Sequence, residues 1–165
     1  LRFFTVYGPM GRPDMAPMIF ADAMLRGQAI NVFNNGNMSR DFTYIDDVIE
    51  VIYKCCLKIP YPNIHFHENQ PDPSTSFAPH RIFNVGSSNP ISLLTFIHLL
   101  ESSLGVKAIK KMKEMQQGDV QETFADIDSL KSWINFVPKT SLEKGILNFA
   151  NWYRDYFDSD YYRRP

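Results

Sequence analysis

The chain has 165 residues, 44% hydrophobic, 14% aromatic and 21% charged, a composition that excludes disorder as its main state and suffices for the core of one domain. Lys and Arg total 17 against 18 Asp and Glu, so the formal net charge of −1 lacks the basic bias that a nucleic-acid partner demands. Apolar stretches such as Leu93-Leu94-Thr95-Phe96-Ile97 fall far short of the roughly 18 residues of a membrane span, so neither nucleic acid nor a membrane is expected as a partner.

The first residues, Leu1-Arg2-Phe3-Phe4-Thr5-Val6, read as the middle of a buried strand. The expectation is that the chain is a piece of a longer protein whose preceding residues carry neighbouring strands of the same sheet. Two glycines and two prolines between Tyr7 and Asp14 then fix a loop. A helix is predicted from about Ala16 to Arg26, burying Ile19, Phe20, Ala23 and Met24 and stopped by Gly27. Strands over Ile30–Phe33 and Met38–Thr43 flank Asn34-Asn35-Gly36-Asn37, and the Asn-Gly pair predicts a hairpin.

A second helix is predicted from Asp46 to Lys58, with Asp47 and Glu50 as a capping box and Val48, Ile52, Cys55 and Ile59 on its buried face. Residues 59–80 carry five prolines among Asn, Ser, Asp and His, which predicts an exposed loop. Arg81 to Val85 reads as a short strand, and Ser92 to Leu104 as a helix burying Leu93, Phe96, Ile97, Leu100 and Leu104. A strand near Val106 to Ile109, a polar loop to Gly118-Asp119 and a helix from about Ile127 follow. The last helix, Ser141 to about Phe157, has Thr140 and Glu143 as its capping box and aromatics at Phe149, Trp152, Tyr153 and Tyr156 in i, i+3, i+4, i+7 spacing.

The chemistry is defined first by what is missing. No glycine-rich run can bring a backbone against a dinucleotide pyrophosphate, there is no P-loop, and no tyrosine has a lysine four residues on to lower its phenol pKa. Polar groups sit instead in loops: Thr5, Arg12, Arg40, Gln116 and Asp119. Arg12, in a Gly/Pro loop just before a helix N-terminus, suits a carboxylate or phosphate, and it equally suits an ion pair with Asp14. Arg40 reads either as a phosphate ligand or as an ordinary ion-pairing residue, and Asp119 as a turn former or a ribose acceptor. His65, His67, Glu68 and His80 lack a fixed fourth ligand, so no metal site is expected. Cys55 and Cys56 are expected to be small buried hydrophobes, and without a disulfide framework or an apolar leader the expected compartment is the cytoplasm.

Three ordered motifs, Arg2-Phe3-Phe4-Thr5-Val6-Tyr7-Gly8-Pro9, Arg40-Asp41-Phe42-Thr43-Tyr44-Ile45-Asp46-Asp47 and Gln117-Gly118-Asp119-Val120, make the chain resemble the C-terminal half of the extended short-chain dehydrogenase/reductase nucleotide-sugar epimerases. The stretch from Gly8 to Ala16 is similar to the UDP-glucuronate 4-epimerase subgroup in particular. The resemblance implies an α/β fold, the C-terminal part of a Rossmann-type sheet: edge strands near 1–6 and 81–85, with the hairpin, the later loop and the last helices forming a small substrate lobe. It implies that residues 1–165 are the substrate-binding portion of an NAD-dependent isomerase. The N-terminal half would hold NAD and the Ser/Thr and Tyr-x-x-x-Lys groups, so this chain would carry no catalytic residue and be inactive alone.

In that family hydride leaves the sugar C4 for NAD⁺, the 4-keto sugar turns, and hydride returns to its other face. By position, Thr5 and Arg12 would meet the sugar and its carboxylate, Asn31 and Phe33 the uracil, Arg40 the diphosphate, and Asp119 the ribose with Gln116 nearby. Tyr7, Gly8 and Pro9 would form a loop on the nicotinamide side. Relatives often place an arginine near Gln116, which puts more of the diphosphate on Arg40. The parent would be a homodimer of UDP-sugar-binding subunits. The alternatives are a portion of a nucleotide-sugar dehydratase or decarboxylase, and a non-catalytic truncated binding module whose exposed sheet edge self-associates.

Overall fold

The computed structural model describes residues 1–158. Strands β1 (Arg2–Phe3) and β2 (Thr5–Tyr7) come from the opening apolar run, which splits between two sheets. Helix α1 (Ala16–Leu25) starts with Pro17 in its first turn, where a missing N–H costs nothing. Then come β3 (Ala29–Val32), a 3-10 turn over Phe33–Gly36, β4 (Ser39–Tyr44) and α2 (Ile45–Leu57). After the proline-rich stretch follow β5 (Asn84–Val85), β6 (Pro90–Ser92), α3 (Leu93–Leu104), β7 (Ile109–Met112), α4 (Asp128–Ile134) and α5 (Leu142–Asp158).

Three small sheets result. β1 pairs in parallel with β5, β3 in parallel with β7, and β4 sits between β2, parallel, and β6, antiparallel. Strands near 1–6 and 81–85 are expected at the edge of one parallel sheet; β1 and β5 do run parallel, while Thr5–Tyr7 joins a second sheet. The hairpin predicted around Asn34-Asn35-Gly36-Asn37 is not formed, because β3 and β4 lie in different sheets. Asn34 and Asn35 do take the left-handed conformation their residue type favours, with φ of 48° and 50°. They close a self-contained turn, in which the Asn34 side chain donates to the Asn37 carbonyl at 2.7 Å. Gly36, at φ 81°, is where Leu94 presses in, and a Cβ there would lie 2.7 Å from its Cδ2. The expected strand near 106–109 is displaced to β7, which bonds to β3 in place of β4.

The main core gathers α1, α3 and α5 around β2, β3 and β4, with Phe96, Ile97, Leu100, Leu104, Ile146 and Phe149 fully buried. Tyr7 stands edge-on to Phe42 and Phe96, which stack at 4.4 Å. Gly145 of α5 lets this happen, since a Cβ there would run into the Tyr7 hydroxyl. Helix α5 also meets α1 where the Tyr153 hydroxyl donates to Asp22 at 3.3 Å; burial and the Asp22 charge push this phenol up to about 12. A second cluster, Val48, Val51, Phe83, Val85, Leu130 and Ile134, fills the side of α2, β5 and α4.

Several sequence expectations need correction. Asp47 does not cap α2; its carboxylate accepts from the Lys139 and Thr140 N–H groups instead and ties down the loop before α5. For α5 the capping side chain is Ser141, accepting from the Lys144 N–H at 3.3 Å, one residue past the Thr140 of the predicted box. Ile59 is exposed, and so is Cys56, while Cys55 is half-buried. Ile19 is also exposed, for a reason the cavity beside it supplies. No helix of the described residues is long and apolar enough to cross a membrane.

Candidate functional site

Between α1, β3, β4 and the loop after β7 lies a cavity of about 520 Å³. Its walls include Thr5, Asn31, Phe33, Arg40, Gln116 and Asp119, residues drawn from four separate stretches of the chain. Parallel pairing explains the convergence. β2 delivers Thr5 beside Phe42 of β4, and β3 alternates Ile30 and Val32 into the core with Asn31 outward. β7, zipped to β3, then carries the chain back so that the loop with Gln116 and Asp119 faces Asn31.

Arg40 is the hub of the polar end. Its Nη2 donates to Asp119 Oδ1 at 2.8 Å, and its Nη1 donates to the carbonyls of Ser39 and Gln121 at 2.9 and 3.1 Å. Asp119 is shaped locally as well, accepting from the Val120 N–H at 2.8 Å, while its own N–H donates to the Gln116 carbonyl. With its side chain only 17% exposed, Arg40 brings a partly buried positive charge, paired with Asp119, to a cavity whose other wall is apolar. Such a charge can hold an anion more strongly than one in open water.

The apolar wall, which sequence reasoning assigned to the core or passed over, comes from Met15, Ala16, Pro17, Ile19, Phe20, Met38 and Leu93. Ala16, Ile19 and Phe20 stand at i, i+3 and i+4 on α1, so the face was visible in the sequence. Phe20 is also buried in the core, and Ala16 packs against it, while Ile19 is left exposed beside the cavity. A second omission is Asp41, fully buried next to Arg40. Its carboxylate accepts from Ser87 N–H and Oγ at 2.6 and 2.8 Å and from the Ser88 and Ala125 N–H groups at 3.0 Å each. These bonds fasten the loops behind the site to β4.

Arg12 is not among the wall residues. It is exposed and forms a fork with Asp14, Nε to Oδ1 at 3.1 Å and Nη2 to Oδ2 at 2.5 Å, and it is Asp14 that lines the cavity. The Arg12 hydrogen bond holds the Asp14 carboxyl below the usual carboxylate range. Tyr7, Gly8 and Pro9 are not among the wall residues either. The Tyr7 ring is buried in the core, where burial pushes its phenol far above the usual range, and Ile45 occupies the space a side chain at Gly8 would need.

Residues 1–64 match the NAD dependent epimerase/dehydratase family. Protein CapI of Staphylococcus aureus is 45% identical over 95% of this chain and 47% of its own length. A probable UDP-glucuronate 4-epimerase of Rhizobium meliloti is 45% identical over 92% of this chain and 45% of its own. The solved UDP-glucuronic acid 4-epimerase from Bacillus cereus, in complex with UDP-glucuronic acid and NAD, superposes with a TM-score of 0.76 at 28% identity. That match covers 94% of this chain and 44% of the solved one. The chain is thus similar to UDP-glucuronate 4-epimerases, has the Rossmann-type fold of that extended short-chain group, and spans about half the length of the curated relatives it matches.

Proposed function

We propose that this chain is the nucleotide-sugar-binding portion of an NAD-dependent UDP-glucuronate 4-epimerase. One observation supports the reading: residues assigned by resemblance to uracil, ribose, diphosphate and sugar line a single cavity. Asn31 and Phe33 would bracket the base, Asp119 would accept from a ribose hydroxyl, and Arg40 would face the diphosphate with Gln116 beside it. Thr5 would meet the sugar, and Arg12 its carboxylate.

NAD, bound by the solved neighbour, supplies the hydride chemistry in such enzymes, and on this reading it would be held mainly by residues outside this chain, with Tyr7, Gly8 and Pro9 on its nicotinamide side. The part of this chain's cavity residues is to orient the sugar and neutralise its charges. On the same reading the acid–base groups belong to residues outside this chain, the whole enzyme is a homodimer, and it works in the cytoplasm. Two unpaired cysteines, one of them exposed, agree with a reducing compartment.

The test is calorimetric titration of the chain with UDP and UDP-glucuronate. Both bind, the uronate more tightly, and Arg40→Ala weakens both by about tenfold or more, as loss of a charge-assisted hydrogen bond does. A folded chain that binds neither, or an Arg40→Ala variant with unchanged affinity, overturns the reading.

A further inference from the structure

Helix α2 buries one face and leaves another bare. Val48 and Val51 share a cluster with Val85 and Leu130, and the Lys54 ammonium lies over the Phe136 ring at 5.7 Å, so the helix is covered toward the core and toward α4. Among the described residues nothing covers the opposite flank. Ile49, Tyr53 and Cys56 stand there at i, i+4 and i+7, and all three are exposed, Ile49 by 55% and Tyr53 by 59%. The sheet beside this stripe is bare as well. In the parallel pair of β1 and β5, Phe3 is level with Val85, so its side chain stands on the face that α2 covers, yet Phe3 is 49% exposed. Leu1, two residues earlier in the same extended run, is also exposed. Among the described residues β1 pairs with β5 alone, which leaves its other edge open.

We propose that this corner, with Phe3 as its floor and Ile49, Tyr53 and Cys56 as its wall, is a docking surface for an amphipathic helix from the part of the protein that lies outside this chain. This rests on the reading above of the chain as a portion of a longer enzyme, and adds the surface by which the rest holds on to it. The occupant follows from the kind of sheet it must complete. Parallel sheets are covered on both faces by the helices that connect their strands, and a parallel neighbour is reached through a helical crossover. A crossover helix seated over β1 would bury the apolar stripe, and the strand joined to it would pair with the open edge of β1, so that one unit satisfies both. The relatives have the length to supply such a unit, since this chain spans only 47% of one and 45% of another. A helix laid against α2 there would meet apolar side chains, because the charged Glu50–Lys54 pair, closed at 3.2 Å, lies on the side toward α4.

The experiment compares this chain with the same chain extended ahead of Leu1 by the part of Staphylococcus aureus protein CapI that it leaves unmatched. Both are treated with a maleimide, and labelling of Cys56 is followed by peptide mass. In the chain alone Cys56 reacts as a free thiol. In the extended protein its rate falls by about tenfold or more, because a thiol beneath a packed helix reacts only when that helix opens. Tyr53→Glu leaves the melting temperature of the chain alone unchanged and lowers that of the extended protein by roughly 3 °C or more, since only there does it bury a charge. Cys56 labelling equally fast in the two proteins, a Tyr53→Glu effect of the same size in both, or an extended protein no more stable than the chain overturns the proposal. A chain that dimerises by itself, with Cys56 protected and the monomer restored by Tyr53→Glu, overturns it in favour of a second copy. Titration of the same samples with UDP reads the broader proposal separately: binding supports it whatever Cys56 does, and folded samples that bind no UDP overturn it even where Cys56 is shielded.

Discussion

Arg40 and Asp41 are adjacent in β4, point to opposite faces and do opposite work. Arg40 presents charge to the cavity; Asp41 spends its charge entirely on the protein, through donors 46, 47 and 84 residues away in sequence. That distance is why Arg40 could be assigned from its motif and Asp41 could not: local spacing shows a carboxylate, never the folded loops that will enclose it. Asp41→Asn turns one acceptor oxygen into a donor against N–H groups that already point at it. It should destabilise the fold by about 2–4 kcal/mol, the cost of leaving buried groups unsatisfied. Urea titration would show a lower midpoint. An unchanged midpoint would mean that the loops at 87–88 and 125 hold themselves in place.

Helices were more readable than strands. α1, α2, α3 and α5 appear within one or two residues of their predicted bounds, because a 3.6-residue apolar period is written inside each segment. The hairpin failed because pairing is not written there: the Asn-Gly signal specifies a left-handed turn, which formed, but which strands it joins depends on β7 and β2 arriving from elsewhere. The α2 cap failed for a similar reason, since Asp47 finds its donors in a loop 92 residues downstream. Helix α5 also meets the core through a missing side chain at Gly145. Gly145→Ala gains about 1 kcal/mol of helix propensity and forces the new methyl against Tyr7, an overpacking cost of about 1–3 kcal/mol. A lower melting temperature is expected, partly restored by Tyr7→Phe, which removes the nearest atom. A more stable Gly145→Ala protein would show that Tyr7 moves aside freely.

Across the molecule, the strand pair that carries the site's polar loop is anchored by one buried acid. Glu101 of α3 is 5% exposed and accepts from Lys110 Nζ at 2.6 Å and from the Ala108 N–H at 3.0 Å, with Lys107 at 3.5 Å. Burial alone would raise its pKa, but the bonds from Lys110 and Ala108 and the charges of Lys110 and Lys107 prevail and hold it below the usual glutamate range. A carboxyl depressed in the folded state contributes stability that is complete above its unfolded pKa of about 4.3 and fades as pH falls through the folded value. The wild-type melting temperature should therefore drop on acidification below about pH 5. Glu101→Gln should be less stable at neutral pH by about 1–3 kcal/mol, and its acid decline should be shallower. Lys110 still reaches water, being 30% exposed, so the loss stays short of that for a stranded buried charge. Because β7 leads straight into Gln116 and Asp119, the variant should also lose affinity for UDP. Parallel acid limbs in the two proteins would remove Glu101 as the source of the pH dependence, and the fastening of the site's loop would then have to come from the Arg40–Asp119 pair.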